Sequence, residues 1–180
     1  MSLVEILLAV GILMLLAAMG LAMVGKARES ARRIQCAANL RTTAMSFLQY
    51  AADHNSALPD PLAEDVRWES LLLPYARTME VFRCPSDEEV FPTAQSSFDW
   101  RDTGEPETTL AGRKLVEISR PGVVLAFEAL SGWHLKDKMN VAGTDASVQI
   151  MSEQDCLRDL TLPVKKGNPK PIEVPPNQNK

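Results

Sequence analysis

The apolar positions of this chain fall into an uninterrupted run, then a helical stripe, then short mixed segments. Across residues 6–24, nineteen residues carry no charged side chain, which is close to the roughly 20 apolar residues that cross a bilayer core as a helix. A cleavable secretory signal fits less well, because its apolar part spans about 7 to 15 residues after a positively charged start, and no Lys or Arg precedes this run. We therefore expect residues 1–25 to form a retained transmembrane helix.

Helical periodicity continues past the run. Apolar residues recur at steps of three, four or seven in one row, and a second row widens that face. A polar, turn-prone stretch at residues 53–56 then supplies a stop. We predict one helix from about residue 1 to 53, roughly 80 Å long, whose amphipathic half, residues 26–54, packs on its own domain. The first row is Ala27, Ala31, Ile34, Ala38, Met45, Leu48 and Ala52, and the second is Ala37, Leu40, Ala44, Phe47 and Ala51.

Residues 55–162 show the short, changing patterns of a small globular domain. Its first amphipathic piece ends or kinks at Pro74, and a later hairpin turns near Asp145, with alternate residues on one face. The predicted fold class is α+β, with the long N-terminal helix packed on a small antiparallel β-sheet. The predicted segments are a short helix at 68–73, strands at 81–85, 96–100 and 123–127, the hairpin at 140–151, and a helix from 152 to about 160.

Charge is distributed unevenly around the formal net value of −4. Residues 1–54 hold five Lys and Arg against three acids, residues 55–162 hold ten against nineteen, and residues 163–180 hold four against one. We expect no nucleic-acid partner, since phosphate contacts need clustered Lys and Arg. Five prolines within residues 163–180 predict an extended tail, either solvated or docked through its lysines on the acidic body of a neighbour.

The sequence contains no motif for catalysis or cofactor binding. A Gly-rich phosphate loop, a zinc-type His-Glu-x-x-His and a Gly-x-Ser-x-Gly elbow are all missing, and His54 and His134 lie on separate loop-like segments. We therefore expect no enzyme, no catalytic residue, no cofactor and no metal site. For the three adjacent acids at residues 87–89 we expect a solvated loop, with calcium binding as the alternative, because calcium needs six or more oxygens.

Glu5 lies at the edge of the apolar run. An ionised side chain at membrane depth is costly unless it is paired, and Lys26 is about 30 Å away along a helix. One interpretation places Glu5 in the first helical turn, where the helix dipole and the amine of its own chain favour a carboxylate. The other interpretation pairs Glu5 with the N-terminal amine of a neighbouring chain.

The N-terminal segment resembles a known family. Residues 2–5 (SLVE) and the apolar helix after them are similar to the mature N-terminus of type IV pilins and of type II secretion pseudopilins, whose usual pattern is Phe-Thr-Leu-Val-Glu. The similarity extends through residues 16–19 (LAAM) and 26–36 (KARESARRIQC), close to the helix of a pilin-like group abundant in planctomycete-type bacteria. Residues 81–87 (VFRCPSD) resemble the Phe-x-Cys-Pro-Ser stretch of that group.

Some positions depart from the family pattern. Ala22 stands where the family commonly has Pro, and Met14 stands where many major pilins have Gly. A more continuous helix is therefore expected here. The predicted hairpin resembles the group's Asn-Val-x-x-x-Asp-Gly-His-Val hairpin, but Ala146 and Ser147 replace the Gly and His. The geometry of that turn is therefore expected to differ.

The resemblance implies a structural subunit. Such a protein is held in the inner membrane, and the filament assembly machinery then extracts it into a periplasmic or extracellular helical homo-oligomer, either a type IV pilus-like filament or a type II secretion pseudopilus. A prepilin peptidase removes a basic leader and methylates the new N-terminal amine, which would be that of Met1. In the filament, Glu5 would neutralise the Met1 amine of the adjoining subunit.

Two of the three cysteines are candidates for a disulfide. The export implied by the resemblance permits oxidation, and a bond between Cys36 and Cys84 would tie the long helix to residues 81–85, with a chain-entropy effect of about 4 kcal/mol. Buried free thiols are the alternative. Cys156 is expected to stay unpaired.

A second functional hypothesis follows from the charges after the apolar run. Four basic residues lie between Lys26 and Arg33, and the positive-inside rule alone would keep the body in the cytoplasm. The chain would then be a single-pass membrane-anchored domain that does not polymerise. A basic leader, as in the family, would instead direct export. The four residues are Lys26, Arg28, Arg32 and Arg33.

Overall fold

The computed structural model of the chain describes residues 2–119 and 121–164, apart from the side chains of residues 17–23. Its dominant element is α1 (Leu3–Asp53), about 76 Å long at about 1.5 Å per residue. The helix agrees with the predicted range of about 1 to 53. The predictions for Met1 and for most of the tail, residues 165–180, concern residues outside this described part.

A small globular unit follows α1. The helices are α2 (Pro61–Glu64), α3 (Trp68–Ala76), a 3-10 helix (Met79–Phe82), α4 (Val90–Ala94), a second 3-10 helix (Leu115–Glu117) and α5 (Glu153–Leu160). Within the described residues, β1 (Phe98–Trp100), β2 (Val124–Glu128), β3 (Lys138–Gly143) and β4 (Val148–Ser152) form one antiparallel sheet in the order β1-β2-β3-β4. This confirms an α+β fold with a long N-terminal helix and a small antiparallel sheet.

Two predicted segments differ from the structure. The strand expected at residues 81–85 is wrong, because Met79–Phe82 forms a 3-10 helix whose first turn is capped by Thr78, which accepts from the Glu80 amide. The helix expected to end or kink at Pro74 continues to Ala76. The β3–β4 hairpin and α5, capped by the Ser152 hydroxyl that accepts from the Asp155 amide, agree with the predicted pattern.

The sheet is covered on both faces. The C-terminal half of α1 packs on one face, where a row of buried side chains meets β1, β2 and β3. On this face Phe47 stacks with Trp68 and Trp100, with ring centroids 5.5 Å and 5.0 Å away. The opposite face holds a smaller cluster under α5, in which Cys156 packs with Val124, Met139 and Val141. These layers fix the second half of α1 rigidly to the domain.

The buried face of α1 is not the one that the sequence pattern put first. The second row forms the core: Leu40, Ala44, Phe47 and Ala51 are fully buried, together with Cys36. The first row largely faces outward, with Ile34 and Met45 65% and 45% exposed, although Leu48 is partly buried against the core. Periodicity identifies both rows equally well, so only the position of the sheet decides between them.

The hairpin turn between β3 and β4 places an alanine in a left-handed conformation. Ala146 has φ of 58°, a left-handed conformation that costs an alanine about 1 to 2 kcal/mol relative to its ordinary one. Asp145 holds this turn, since its carboxylate accepts from both the backbone amide and the hydroxyl of Ser147, at 3.0 and 2.6 Å.

Arg101 anchors the last helix to the rest of the domain. Its guanidinium is completely buried and forms an ion pair with Asp159 at 2.8 Å. The same group donates to the carbonyls of Thr108, at 2.7 Å, and Leu162, at 2.6 Å. One side chain therefore fixes the loop after β1, the end of α5 and the segment beyond it.

We predict that Arg101→Met lowers the free energy of unfolding by about 3 to 5 kcal/mol, because it removes the buried cation that pairs with the Asp159 carboxylate and donates to several carbonyls. Arg158→Met is the matched control, since Arg158 lies next to Asp159 on α5 but is exposed, and it should change stability by no more than about 0.5 kcal/mol. Urea unfolding followed by tryptophan fluorescence measures both. Equal effects of the two substitutions would contradict the anchoring role.

Candidate functional site

The N-terminal half of α1 has no partner on its own chain. Every described side chain from Ser2 to Leu16 is exposed, including large apolar ones such as Leu3, at 75%, and Leu16, at 60%. A helix that is apolar all round is stable in water only when something else covers it. A search for membrane-spanning helices, restricted to the described residues, identified none.

Glu5 completes a capping box at the start of α1. The Ser2 hydroxyl accepts from the Val4 amide at 3.4 Å, and Glu5 Oε2 accepts from the Ser2 backbone nitrogen at 2.9 Å. This places Glu5 in the first turn, as the first interpretation expected, and Ser-x-x-Glu is the sequence signature of this cap. A carboxylate has about four lone-pair sites, so the cap leaves capacity for a further donor. The predicted pairing with Met1 of a neighbour involves a residue outside the described part.

The exposed apolar surface continues beyond the N-terminal half. Ala27, Ala31, Ile34, Ala38 and Met45 lie outside the buried face of α1, and each is exposed; these five residues define the outer row. Ile34 borders a groove with Val148 and Ile150 of β4. The helix therefore exposes apolar side chains over residues 2–16 and again along the outer row.

A second candidate site is a buried cluster of four side chains: Cys36, Cys84, Glu128 and His134. Cys36 comes from the buried face of α1, Cys84 follows the Met79–Phe82 helix, Glu128 ends β2, and His134 lies in the loop between β2 and β3. All four side chains are at most 4% exposed. The cluster therefore lies where the long helix, the sheet and two loops meet.

The potential ligand atoms of this cluster converge on one point. Cys36 Sγ donates to Glu128 Oε1 at 2.9 Å, and Cys84 Sγ lies 3.2 Å from His134 Nε2. Glu128 Oε1 also lies 3.4 Å from His134 Nε2, and all four ligand atoms lie within 4.8 Å of one another.

The electrostatics of the cluster separate its two thiols. The neighbouring Cys36 thiol is the main cause that lowers the pKa of Cys84 to about 6, against the opposing effect of burial, and His134 adds to the lowering. The neighbouring Cys84 thiol, burial and the negative charge of Glu128 raise the pKa of Cys36. Burial alone would lower the pKa of His134, but hydrogen bonds to Cys84 and Glu29 outweigh it and raise that pKa to about 9. Cys84 is therefore the more acidic thiol of the pair.

Further side chains orient the cluster from outside. Glu29, about two turns before Cys36 on α1, accepts a hydrogen bond from His134 Nδ1 at 2.8 Å. Asn140 on β3 donates its backbone amide and its Nδ2 to the two oxygens of Glu128, each at 2.8 Å. The imidazole and the carboxylate are thus held in fixed orientations, with His134 Nε2 and Glu128 Oε1 both turned toward the thiols.

The structure brings together some predicted site residues and adds others. Cys36 and Cys84 are adjacent, as the disulfide requires, but all three cysteines are free thiols in the structure, so the disulfide stays a prediction. Glu128 and His134 were not predicted, because they lie 92 and 50 residues from their thiol partners and follow no motif spacing. His54 ends α1 and holds the Tyr50 carbonyl through Nδ1.

The acidic stretch at residues 87–89 is not simply a solvated loop. Asp87 is buried, and its carboxylate accepts from the Ser97 hydroxyl at 2.5 Å and from the backbone amides of Glu89, Val90 and Phe91 at 2.7 to 2.9 Å. Burial by itself would raise the pKa of Asp87, but these four donors outweigh it and lower the pKa. Asp87 therefore serves as the cap of the chain entering α4.

We predict a pH dependence of stability from Asp87. Its pKa is lower in the folded than in the unfolded chain, so its contribution is present above the unfolded value of 3.8 and is lost as the pH falls through the folded value. Between about pH 5 and pH 3 the free energy of unfolding of the wild type should therefore fall faster than that of Asp87→Asn. Denaturant unfolding across this range measures the difference.

The control for this test is Glu88→Gln, because Glu88 is the exposed neighbour in the same loop. It should change the stability at neutral pH by at most about 0.5 kcal/mol. Parallel pH profiles for the wild type and Asp87→Asn would show that Asp87 does not stabilise the fold through its charge.

Comparison of the chain with protein-family models, with curated proteins and with solved structures found no match.

Proposed function

We propose that this protein is the structural subunit of a helical filament of the type IV pilus or type II secretion pseudopilus kind, held in a membrane before assembly. The observation that carries the proposal is α1 itself, in which one continuous helix has a C-terminal half packed on its own sheet and an N-terminal half with every described side chain exposed. The resemblance of residues 2–5 and 26–36 to the pilin N-terminal helix supports the same conclusion.

The partner that fits the exposed half of α1 is the same segment of other copies. Lipid and packed apolar helices are both apolar surroundings, so a subunit can leave a bilayer and enter a helical core with the same side chains covered. A helix longer than the domain it anchors also allows the domains to lie outside such a core. The outer row extends this contact surface, because its five side chains are exposed.

Glu5 determines the register of the assembly. Each subunit brings a carboxylate near the start of α1, and a neighbouring N-terminal amine, that of Met1, can occupy the lone pairs that the capping box leaves. A correct axial step buries a paired charge, whereas a wrong step buries an unpaired one at a cost of several kcal/mol. The cap and the pairing use the same carboxylate, so they must be tested separately.

We predict that Glu5→Gln inserts into the membrane but does not enter filaments. Gln can fill the capping-box position as Glu does, so this change removes the charge and keeps the cap. Ser2→Ala is the matched control, because it removes the hydroxyl side of the cap and leaves the charge in place. It should still assemble.

The measurement is the fraction of each variant recovered in sheared filaments relative to the membrane fraction. If Glu5 acts only as a cap, Ser2→Ala should impair assembly at least as much as Glu5→Gln, and the pairing proposal would be wrong. If the chain is a membrane-anchored domain that does not polymerise, the wild type itself would give no filaments.

We also predict that Ile34→Lys reduces incorporation into filaments without changing the folding of the subunit. Ile34 is the most exposed large residue of the outer row, so a charge there affects a contact between subunits and leaves the core intact. The effect on the free energy of unfolding should be at most about 0.5 kcal/mol.

Leu157→Lys is the control for Ile34→Lys. Leu157 is exposed to a similar degree, at 56%, but lies on α5, on the opposite side of the sheet from α1. It should assemble normally, because this layer faces outward when the helices form the core. Equal incorporation of the two lysine variants would contradict the role of the outer row.

A further inference from the structure

We propose that Cys36, Cys84, Glu128 and His134 form a structural zinc site that joins the long helix to the globular domain. The proposal concerns the four-residue cluster alone and is independent of filament assembly. Zinc prefers thiolate sulfur, imidazole nitrogen and carboxylate oxygen, usually four of them in tetrahedral geometry. The cluster offers two sulfurs, one nitrogen and one carboxylate oxygen.

The spacing of the ligand atoms suits a tetrahedral ion. Bonds of about 2.3 Å to sulfur and about 2.0 to 2.2 Å to nitrogen and oxygen place neighbouring ligands about 3.3 to 3.8 Å apart. The structure has Cys84 Sγ and His134 Nε2 at 3.2 Å, and Glu128 Oε1 and His134 Nε2 at 3.4 Å. Cys36 Sγ and Glu128 Oε1, at 2.9 Å, would move apart by about 0.6 to 0.7 Å to reach the spacing of a sulfur and an oxygen around the ion.

The burial of the site also suits a divalent cation. Glu128 is 1% exposed and Cys84 is fully buried, so a carboxylate and two thiols lie together inside the protein. Groups of this kind are buried at low cost only when they are paired or bound to a metal. Zinc would bind both sulfurs as thiolates and His134 through Nε2, and the protons that these atoms carry would leave to solvent.

The outer contacts are those of a metal-bound histidine. A ligating imidazole usually donates its other ring N–H to a carboxylate, which fixes the tautomer and the ring orientation. His134 does this through Nδ1 to Glu29, which leaves Nε2 directed at the thiols. Glu128 is held in the same manner by Asn140. These contacts would be needed by neither a disulfide nor an ordinary apolar core.

Four protein ligands and near-complete burial make the site closed, which is typical of structural rather than catalytic zinc. A small cavity of about 10 Å³ adjoins Glu128 and His134 on the side of Arg33 and Lys138. The ion would connect α1, the loop after the Met79–Phe82 helix, the end of β2 and the loop before β3. It would thus fix the angle between the long helix and the domain.

The test uses the full chain, purified in detergent micelles under reducing conditions and stripped of metal with a chelator. Zinc affinity is measured by competition with a chromophoric chelator, and Co²⁺ is added as a spectroscopic probe. We expect one tightly bound zinc and, with cobalt, a thiolate-to-metal charge-transfer band. Cys84→Ser and His134→Gln should weaken zinc binding by more than the 10-fold to 100-fold loss that a change outside the ligands causes.

The chain offers matched controls. Cys156→Ser removes the buried thiol that lies under α5, and His54→Gln removes the other histidine, at the end of α1. Both should bind zinc with wild-type affinity. Glu29→Gln keeps all four ligands and tests the positioning of His134, so it should weaken binding by about 10-fold and preserve the cobalt charge-transfer band.

If a ligand variant does not fold, X-ray absorption at the zinc edge of the wild-type protein still tests the proposal, because it measures the ligand shell of the bound ion directly. The expected shell is two sulfurs at about 2.3 Å and two nitrogen or oxygen atoms at about 2.0 to 2.2 Å. A shell without sulfur, equal affinity in the wild type and Cys84→Ser, or no binding by the reduced wild type would overturn the proposal. If the reduced wild type binds no zinc, the role left for Cys36 and Cys84 is the predicted disulfide.

Discussion

Everything in this structure depends on one helix that lies in two different environments. The C-terminal half of α1 contributes a continuous row of core side chains that includes Phe47 and Leu40, and the sheet, α3 and the aromatic residues pack around it. The N-terminal half has the same backbone continuity but exposes its apolar side chains on every described side. Burial of apolar surface is the main favourable term in folding. A single copy of the chain buries apolar side chains from only about half of α1.

The two candidate sites lie at points where that helix must be held. At its start, the Ser2–Glu5 capping box satisfies backbone donors that an apolar end would otherwise leave without partners. At the start of the packed half, Cys36 enters a buried cluster whose other members come from three distant parts of the chain. Glu5 and Cys36 are both part of α1 and lie 31 residues apart. In the proposed filament, force would therefore be transmitted from the capping box to the buried cluster through one uninterrupted helix.

The sequence predicts the elements better than it predicts the site. The helical pattern of the apolar run, the stop at residues 53–56 and the hairpin near Asp145 depend on local physics, and the structure agrees with the helix, its end and the hairpin. The transmembrane role of the apolar run stays a prediction. The buried row of α1 was misjudged, because two rows of equal periodicity are distinguished only by where the sheet lies. The strand at residues 81–85 failed because a local cap by Thr78 favours a 3-10 turn over extended chain.

The sequence does not predict which residues that are far apart along the chain meet in the fold. His134 lies in no metal-binding spacing, and Glu128 lies one residue beyond the strand predicted at 123–127, yet folding places both beside two thiols. Arg101 likewise gave no signal, because its partners are mostly backbone carbonyls at the far end of the domain. Ser-x-x-Glu at residues 2–5 is different, because this short motif alone predicts a capping box. The capping box gives Glu5 a role within its own chain, whereas the pilin-like interpretation pairs the same acid with a neighbouring chain.

The measurement that tests the central claim most directly is a high-resolution map of filaments formed by the wild-type protein. The account predicts a core in which the N-terminal halves of α1 from several copies cover one another, with each Glu5 carboxylate within hydrogen-bond distance of a neighbour's N-terminal amine. A map in which Glu5 is hydrated or bonded only to its own Ser2, or in which α1 is covered by anything other than α1, would contradict it.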